Sequence, residues 1–75
     1  MSPAVLPVIS GREAMRAFTR GGWIIARQRA LQIVLVKPGV PVSLSIPDRK
    51  ELDRGLLRVQ IRRVGLSIDE FVNLF

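Results

Sequence analysis

The chain has 75 residues, enough for one domain, since a chain of this length buries only about 60% of its unfolded surface. Apolar residues make up 48% and charged residues 24%, which excludes both a disordered chain and a membrane protein. Twelve Lys and Arg stand against six Asp and Glu, and the formal charge of +6 favours a polyanionic partner such as nucleic acid. On charge alone, a surface that merely aids solubility is an equally weighted alternative.

The residue types that are missing narrow the chemistry further. The sequence contains no Cys and no His, which excludes disulfides and thiolate catalysis and argues against a zinc site. We therefore expect no cofactor and no metal ion. The first nine residues lack the basic start of a signal peptide, and no apolar run approaches the roughly 20 residues of a spanning helix. These features predict a cytoplasmic protein with no membrane partner.

The N-terminal part of the chain predicts an arm followed by a helix. Pro3 and Pro7 interrupt residues 1–9, which are predicted to form an extended arm, and residues 10–75 are predicted to form a single domain. Ser10 is a good N-cap, and an acidic residue three positions later completes a capping box. We expect the first helix over residues 10–20, with two glycines ending it.

Three short segments then have the composition of strands, over residues 23–29, 33–36 and 42–46. The third alternates cleanly and places Val42, Leu44 and Ile46 on the core face. The first two strands are apolar on both faces, although a three-stranded sheet with helices on one side should present a polar second face to water. Two explanations are equally weighted: the arm or the sheet twist covers that face, or it is a protein interface.

The C-terminal part predicts two helices. Asp53 is the cap of the first, in which apolar residues at i, i+4 and i+7 form a seam, namely Leu57, Ile61 and Val64. Ser67 and Glu70 form a second capping box, which begins a short helix that runs to the last residue. The order α-β-β-β-α predicts an α+β two-layer domain, with a three-stranded antiparallel sheet and helices on one face.

Several segments together carry a family resemblance. They are Ser10-Gly11-Arg12-Glu13, Gly22-Trp23, Arg27-Gln28-Arg29, the run from Ser45 to Arg58, Ile61-Arg62, and Gly65 to Phe71. In these segments the chain resembles the HicA (YcfA-like) toxins, which are small basic RNA-cleaving proteins of bacterial toxin–antitoxin pairs. The resemblance covers about residues 8–75.

The resemblance implies a fold similar to a double-stranded RNA-binding domain, and it implies RNA, a HicB-type antitoxin or a second copy of the chain as partners. The catalytic histidine of the family is the last residue of a Gly-Ser-His motif, and the corresponding residues of this chain are Ala30-Leu31-Gln32. Gln32 thus occupies the position of the histidine. A second family histidine follows the proline that ends the third strand, where this chain has Asp48-Arg49.

We expect four basic residues, Arg27, Arg29, Arg49 and Lys50, to converge near Gln32. The full set of basic candidates for RNA contact is Arg27, Arg29, Arg49, Lys50, Arg54, Arg58 and Arg62. The last three are spaced by four and form one stripe on a helix, and a merely solvated face is the alternative. A second stripe with the same spacing, Arg12, Arg16 and Arg20, is more simply a solvated face. For Trp23, core packing is favoured over base stacking.

The leading hypothesis is a HicA-like toxin-family protein that binds RNA and has weak or absent ribonuclease activity, because a glutamine amide cannot act as the general base. One alternative is an active mRNA-cleaving endoribonuclease toxin with a rearranged site, in which Asp48 or Glu51, neither with an evident partner in the sequence, replaces the base. The other is a non-catalytic module that binds a HicB-type antitoxin or forms a homodimer.

Overall fold

A computed structural model describes residues 5–75 and contains six helices and strands in the predicted order. They are α1 (Gly11–Arg20), β1 (Ile24–Gln28), β2 (Gln32–Val36), β3 (Leu44–Pro47), α2 (Arg54–Arg63) and α3 (Ile68–Val72). The strands form one antiparallel sheet in the order β1-β2-β3. The α+β architecture is therefore confirmed. Within residues 5–75, no helix has the length and apolar character needed to cross a membrane.

The helix caps agree with the sequence. Ser10 accepts a hydrogen bond from the Glu13 N–H, and the Glu13 side chain accepts one from the Ser10 N–H, which completes the predicted capping box. The Asp53 carboxylate accepts a bond from the Leu56 N–H at 2.9 Å and caps α2. Ser67 caps α3 through a second capping box. Each helix therefore begins where its cap predicts, although α3 ends at Val72, before the end of the chain.

The sheet register departs from simple alternation in β1. Ile25 pairs with Leu35, but Arg27 pairs with Val34, so Ala26 forms a bulge between the two pairs. The bulge shifts the pleat by one residue, so the side chains of β1 do not alternate regularly between the two faces of the sheet. The strands β1 and β3 are also shorter at their starts than the composition predicts.

One hydrophobic core lies between the sheet and the helices. Its buried residues are Leu6, Ile9, Ala14, Ala17, Phe18, Trp23, Ile33, Leu35, Leu44, Ile46, Leu52, Leu57, Ile61 and Phe71. The rings of Phe18 and Phe71 lie 4.9 Å apart at its centre. Trp23 packs edge-on against Phe18 with ring centroids 6.4 Å apart, which confirms its core role. The described part of the arm supplies Leu6 and Ile9 to this core.

The outer face of the sheet, opposite the core, has an apolar pair that is open to solvent at one end. Ile24 is 54% exposed and its partner Val36 is 38% exposed. Residues 1–4 of the predicted arm lie outside the described residues. The described arm residues Leu6 and Ile9 pack in the core, and they leave the apolar pair Ile24 and Val36 in contact with solvent.

The start of α1 lies against the end of β3. The Gly11 N–H donates to the Arg49 carbonyl at 2.8 Å. A Cβ atom at Gly11 would overlap the Pro47 carbonyl oxygen, so only glycine permits this close approach. The Leu52 N–H donates to the Ile9 carbonyl at 2.7 Å. These bonds hold the segment after β3 beside the arm and the first turn of α1.

Candidate nucleic-acid interface

An open groove of about 490 Å³ lies where the β1–β2 hairpin turn meets the end of β3. Its lining residues are Arg29, Ala30, Leu31, Gln32, Pro47 and Arg49. The volume falls within the range of about 300–1,000 Å³ that small-ligand sites occupy. The groove is therefore large enough to take one nucleotide of a longer chain.

Backbone hydrogen bonds fix the shape of this groove. The Arg29 N–H donates to the Gln32 carbonyl at 2.8 Å, and the Gln32 N–H donates back at 3.4 Å, so Ala30 and Leu31 form a two-residue turn. The Asp48 N–H donates to the Leu31 carbonyl at 3.0 Å and joins the end of β3 to the turn. Neither turn residue has a positive φ, so this backbone does not require a glycine at position 30.

The groove combines two cations with an amide and an apolar surface. Arg29 and Arg49 carry exposed guanidinium groups, which bind phosphate oxygens well. Leu31 is 76% exposed at the tip of the turn and lies beside Pro47 in the lining. The Gln32 amide has both donors and acceptors and can pair with the edge of a base. These groups match the phosphates, face and edge of an unpaired nucleotide.

The other basic candidates lie outside this groove. Arg27 pairs with Val34 on the outer face of the sheet, and Lys50 is exposed in the segment after β3. Arg54 lines a smaller cavity with Val8, Glu51, Leu52 and Asp53. Arg58 and Arg62 line a third cavity with residues from the start of α3. The predicted convergence near Gln32 therefore holds for Arg29 and Arg49, while the stripe on α2 forms a separate basic surface.

The lining of the groove contains no histidine and no carboxylate, since the set consists of Arg, Ala, Leu, Gln and Pro. The two candidate substitute bases lie elsewhere. Asp48 is only 20% exposed and faces Arg12, whose Nε lies 3.4 Å from Oδ1. Asp48 thus has a partner that the sequence does not indicate, because the first turn of α1 lies beside the end of β3. Glu51 lines the cavity beside Arg54.

Another cavity, of about 340 Å³, lies at the opposite end of the sheet, where the sequence predicted no site. It is lined by Gly21, Trp23, Lys37, Val40, Val64, Leu66, Glu70, Asn73 and Leu74. Its charged groups already serve the fold: the Lys37 ammonium donates to the Gly21 carbonyl at 3.0 Å. The Ser67 N–H donates to Glu70, and this hydrogen bond lowers the pKa of the Glu70 carboxyl.

Sequence reasoning missed Leu31 and Pro47 as part of the groove. An apolar residue in a two-residue hairpin turn is unusual, because turns favour Gly, Asn and Asp, and that signal could have singled out Leu31. The role of Pro47 depends on the turn meeting β3, which no local pattern indicates.

Comparison of the chain with protein-family models, curated proteins and solved structures gives no significant match. The case for any function therefore depends on the residues and the geometry described above.

Proposed function

We propose that the protein is a HicA-like member of a bacterial toxin–antitoxin system that binds single-stranded RNA and has weak or no ribonuclease activity. The observation that carries the proposal is the groove around Gln32, whose lining combines two arginines with no histidine and no carboxylate. The family segments of the sequence supply the toxin-like part of the proposal. The same resemblance predicts a HicB-type antitoxin or a second copy of the chain as a binding partner.

Binding follows from the charge and the shape of the groove. Arg29 and Arg49 bind the phosphates on either side of one nucleotide, and its base lies on Leu31 and Pro47. An unpaired strand fits better than a duplex, since a base stacked and paired in a duplex cannot enter the groove. The stripe on α2 and the net charge of +6 extend the attraction to phosphates further along the strand.

Weak or absent cleavage follows from the missing base. Attack by the 2′-hydroxyl on the neighbouring phosphate needs a group that accepts its proton, and the Gln32 amide cannot do so at neutral pH. Loss of a general base typically costs roughly 10²- to 10⁴-fold in rate. Arg29 and Arg49 can stabilise the charge of a phosphorane, but they leave the hydroxyl protonated. An active enzyme with a rearranged site would need Asp48 to leave Arg12 and reach the groove.

Binding is tested with a fluorescently labelled single-stranded RNA titrated at several salt concentrations. Four to six phosphate contacts to a single strand give a log–log salt slope of about −3 to −4. The double variant Arg29→Gln, Arg49→Gln removes the groove cations, and the control Arg16→Gln, Arg63→Gln removes the same charge elsewhere. We expect about tenfold weaker binding for the groove variant relative to the control. A flat salt response, or equal losses in both variants, contradicts the proposed interface.

Cleavage is tested on the same RNA with gel readout. We expect no cleavage by the unmodified chain and measurable cleavage by Gln32→His, with a rate that depends on pH around the imidazole pKa of about 6.5. The triple variant Ala30→Gly, Leu31→Ser, Gln32→His should cleave faster, because it also removes the Leu31 side chain beside the new base. Robust cleavage by the unmodified chain, abolished by Gln32→Ala or Asp48→Ala, would overturn the proposal.

A further inference from the structure

The first strand of the sheet, β1, is exposed to solvent on both faces and along one edge. All five residues of β1 are exposed, and Ile25 is 40% exposed although it points to the core side of the sheet. In residues 5–75, β1 has a strand neighbour on one side alone, which is β2. A strand at the edge of a sheet presents unpaired backbone groups to solvent and can pair with another strand.

The opposite edge of the sheet, formed by β3, is covered by other parts of the chain. α1 packs against β3, and the Gln60 side-chain amide donates to the Ser45 carbonyl at 3.3 Å. Just after β3, the Arg49 carbonyl accepts from Gly11. Backbone acceptors along and beyond β3 are therefore occupied by other parts of the chain, while β1 has no comparable cover within the described residues.

The hydrogen-bond pattern identifies which groups of β1 face the free edge. Arg29 and Gln32 exchange backbone bonds, and such pairs recur every second residue in an antiparallel ladder, so Arg27 and Val34 form the next one. Gln28 lies between them, and its backbone N–H and carbonyl therefore point away from β2. They are the groups that an added strand would meet first.

The charge around β1 favours an acidic partner. The sequence has no Asp or Glu between Glu13 and Asp48, and Arg27 and Arg29 lie in and directly after β1. A second copy of the chain would bring the same cations and another net charge of +6 to this edge. An extended segment with acidic residues would instead be attracted, and β-branched residues on its core-side face could pack on Ile25.

We propose that β1 accepts a fourth strand from an acidic partner protein, an extended segment in which acidic and β-branched residues alternate. Backbone bonds to Gln28 supply affinity in this mode of recognition, and side chains on the added strand supply specificity. Arg27 on the outer face of the sheet pairs with an acidic side chain of the added strand. The proposed contacts, at the Gln28 backbone and the Arg27 side chain, involve no residue that lines the RNA groove, which begins at Arg29.

The probe is the peptide acetyl-Glu-Val-Glu-Ile-Glu-Val-Glu-amide, titrated into the full ¹⁵N-labelled chain and followed by amide chemical shifts and hydrogen exchange. We expect saturable binding, with shifts centred on β1 and slowed exchange of the Gln28 amide. The variant Gln28→Pro removes the outward N–H without removing a bond to β2, and it should weaken binding at least about tenfold. The matched control Gln28→Ala keeps the N–H and should bind as the unmodified chain does.

Two further peptides keep the test decisive if Gln28→Pro fails to fold. Replacing every Glu by Lys should abolish binding through charge, and N-methylation of alternate residues on the edge that faces β1 should abolish it through the backbone. Equal binding of either peptide, or shifts centred away from β1, would overturn the proposal. A concentration-dependent dimer with shifts at β1 in the absence of peptide would identify a second copy as the occupant and would also overturn it.

Discussion

The helices α1 and α2 carry arginines at the same spacing. In the part of the chain that the structure describes, only arginine side chains of α1 bond to other parts of the chain. Each has ten residues and a side-chain N-cap, and each carries three arginines spaced by four. In α1, Arg12 pairs with Asp48, and Arg20 donates to the Leu74 carbonyl at 3.0 Å. Among the described residues, no ion pair or side-chain hydrogen bond forms on α2's stripe of Arg54, Arg58 and Arg62.

The difference follows from how each helix packs. α1 buries four residues, Gly11, Ala14, Ala17 and Phe18, and it contacts both β3 and α3. α2 buries Leu57 and Ile61 alone. α2 also contacts α3 and donates through Gln60 to the Ser45 carbonyl, but over residues 5–75 neither contact brings an acceptor to its stripe of arginines. The acceptors that meet Arg12 and Arg20 of α1 come from the residues just after β3 and after α3. Identical spacing in sequence therefore leads to a structural role in α1 and to availability for a ligand in α2.

The largest effect should come from a methyl group at the start of α1. Gly11→Ala places a Cβ on the Pro47 carbonyl oxygen, and we expect a loss of about 3 kcal/mol in the free energy of unfolding, measured by denaturant titration. Gly55→Ala is the matched change in α2, where the nearest atom is the Asp53 carboxylate at 3.1 Å. It should change stability by less than about 1 kcal/mol. Equal losses would contradict the contrast between the helices.

The second-largest effect should be on RNA affinity, which should differ between variants that lack the arginine stripe of α2 and variants that lack that of α1. Replacing Arg54, Arg58 and Arg62 together by Gln should weaken binding about 10- to 100-fold near 0.15 M salt and reduce the salt slope by about 2. Replacing Arg12, Arg16 and Arg20 in the same way removes the same charge and should cost less than about fivefold. The same titrations in both variants give the comparison, and a larger loss for the α1 variant would assign RNA contact to α1 instead.

A smaller effect is expected from the ion pair of α1. Arg12 is more than half exposed, so Arg12→Gln should lower the free energy of unfolding by less than about 1 kcal/mol. The difference from the unmodified chain should shrink further in high salt, since salt screens exposed charges. Arg58→Gln on α2 removes no intramolecular partner and is expected to leave stability unchanged. A larger loss at Arg58 would show that α2 is also tied into the fold.

The smallest effect concerns acid and the capping box of α3, which α2 lacks because Leu56 occupies the corresponding position. The hydrogen bond from the Ser67 N–H lowers the pKa of Glu70 from its ordinary value of 4.5. Because the folded-state pKa is the lower one, the contribution of this carboxylate is fully present above about 4.5 and is lost as pH falls through the lowered value. The stability gap between the unmodified chain and Glu70→Gln should therefore narrow in acid, and a constant gap from neutral pH to about pH 2 would contradict the assignment.

Local signals in the sequence were sufficient for the helices. Each helix begins after an N-cap residue whose side-chain oxygen accepts a hydrogen bond from a backbone N–H that has no acceptor within the helix. These residues are Ser10, Asp53 and Ser67. The strands were predicted with less accuracy, since a bulge such as that at Ala26 depends on how two strands fit together. The alternation of β3 placed Leu44 and Ile46 correctly in the core.

The candidate site was predictable only in part, for the same physical reason. Arg29 lies three residues before Gln32 in one hairpin, and their proximity follows from the turn. Arg49 joins them because β3 pairs beside β2, which the predicted meander implied. The pairing of Asp48 with Arg12 depends on tertiary packing, and no local pattern in the sequence indicates it.

The bond between the Leu52 N–H and the Ile9 carbonyl has a consequence for the order in which the chain acquires structure on the ribosome. Its two residues are separated by more than half of the chain, so the loop between them must close before Leu6 and Ile9 can be buried. The hairpin of β1 and β2 needs only local contacts and can form during synthesis. The N-terminal segment must then wait for Leu52 to emerge, and until that moment its apolar side chains are available to chaperones.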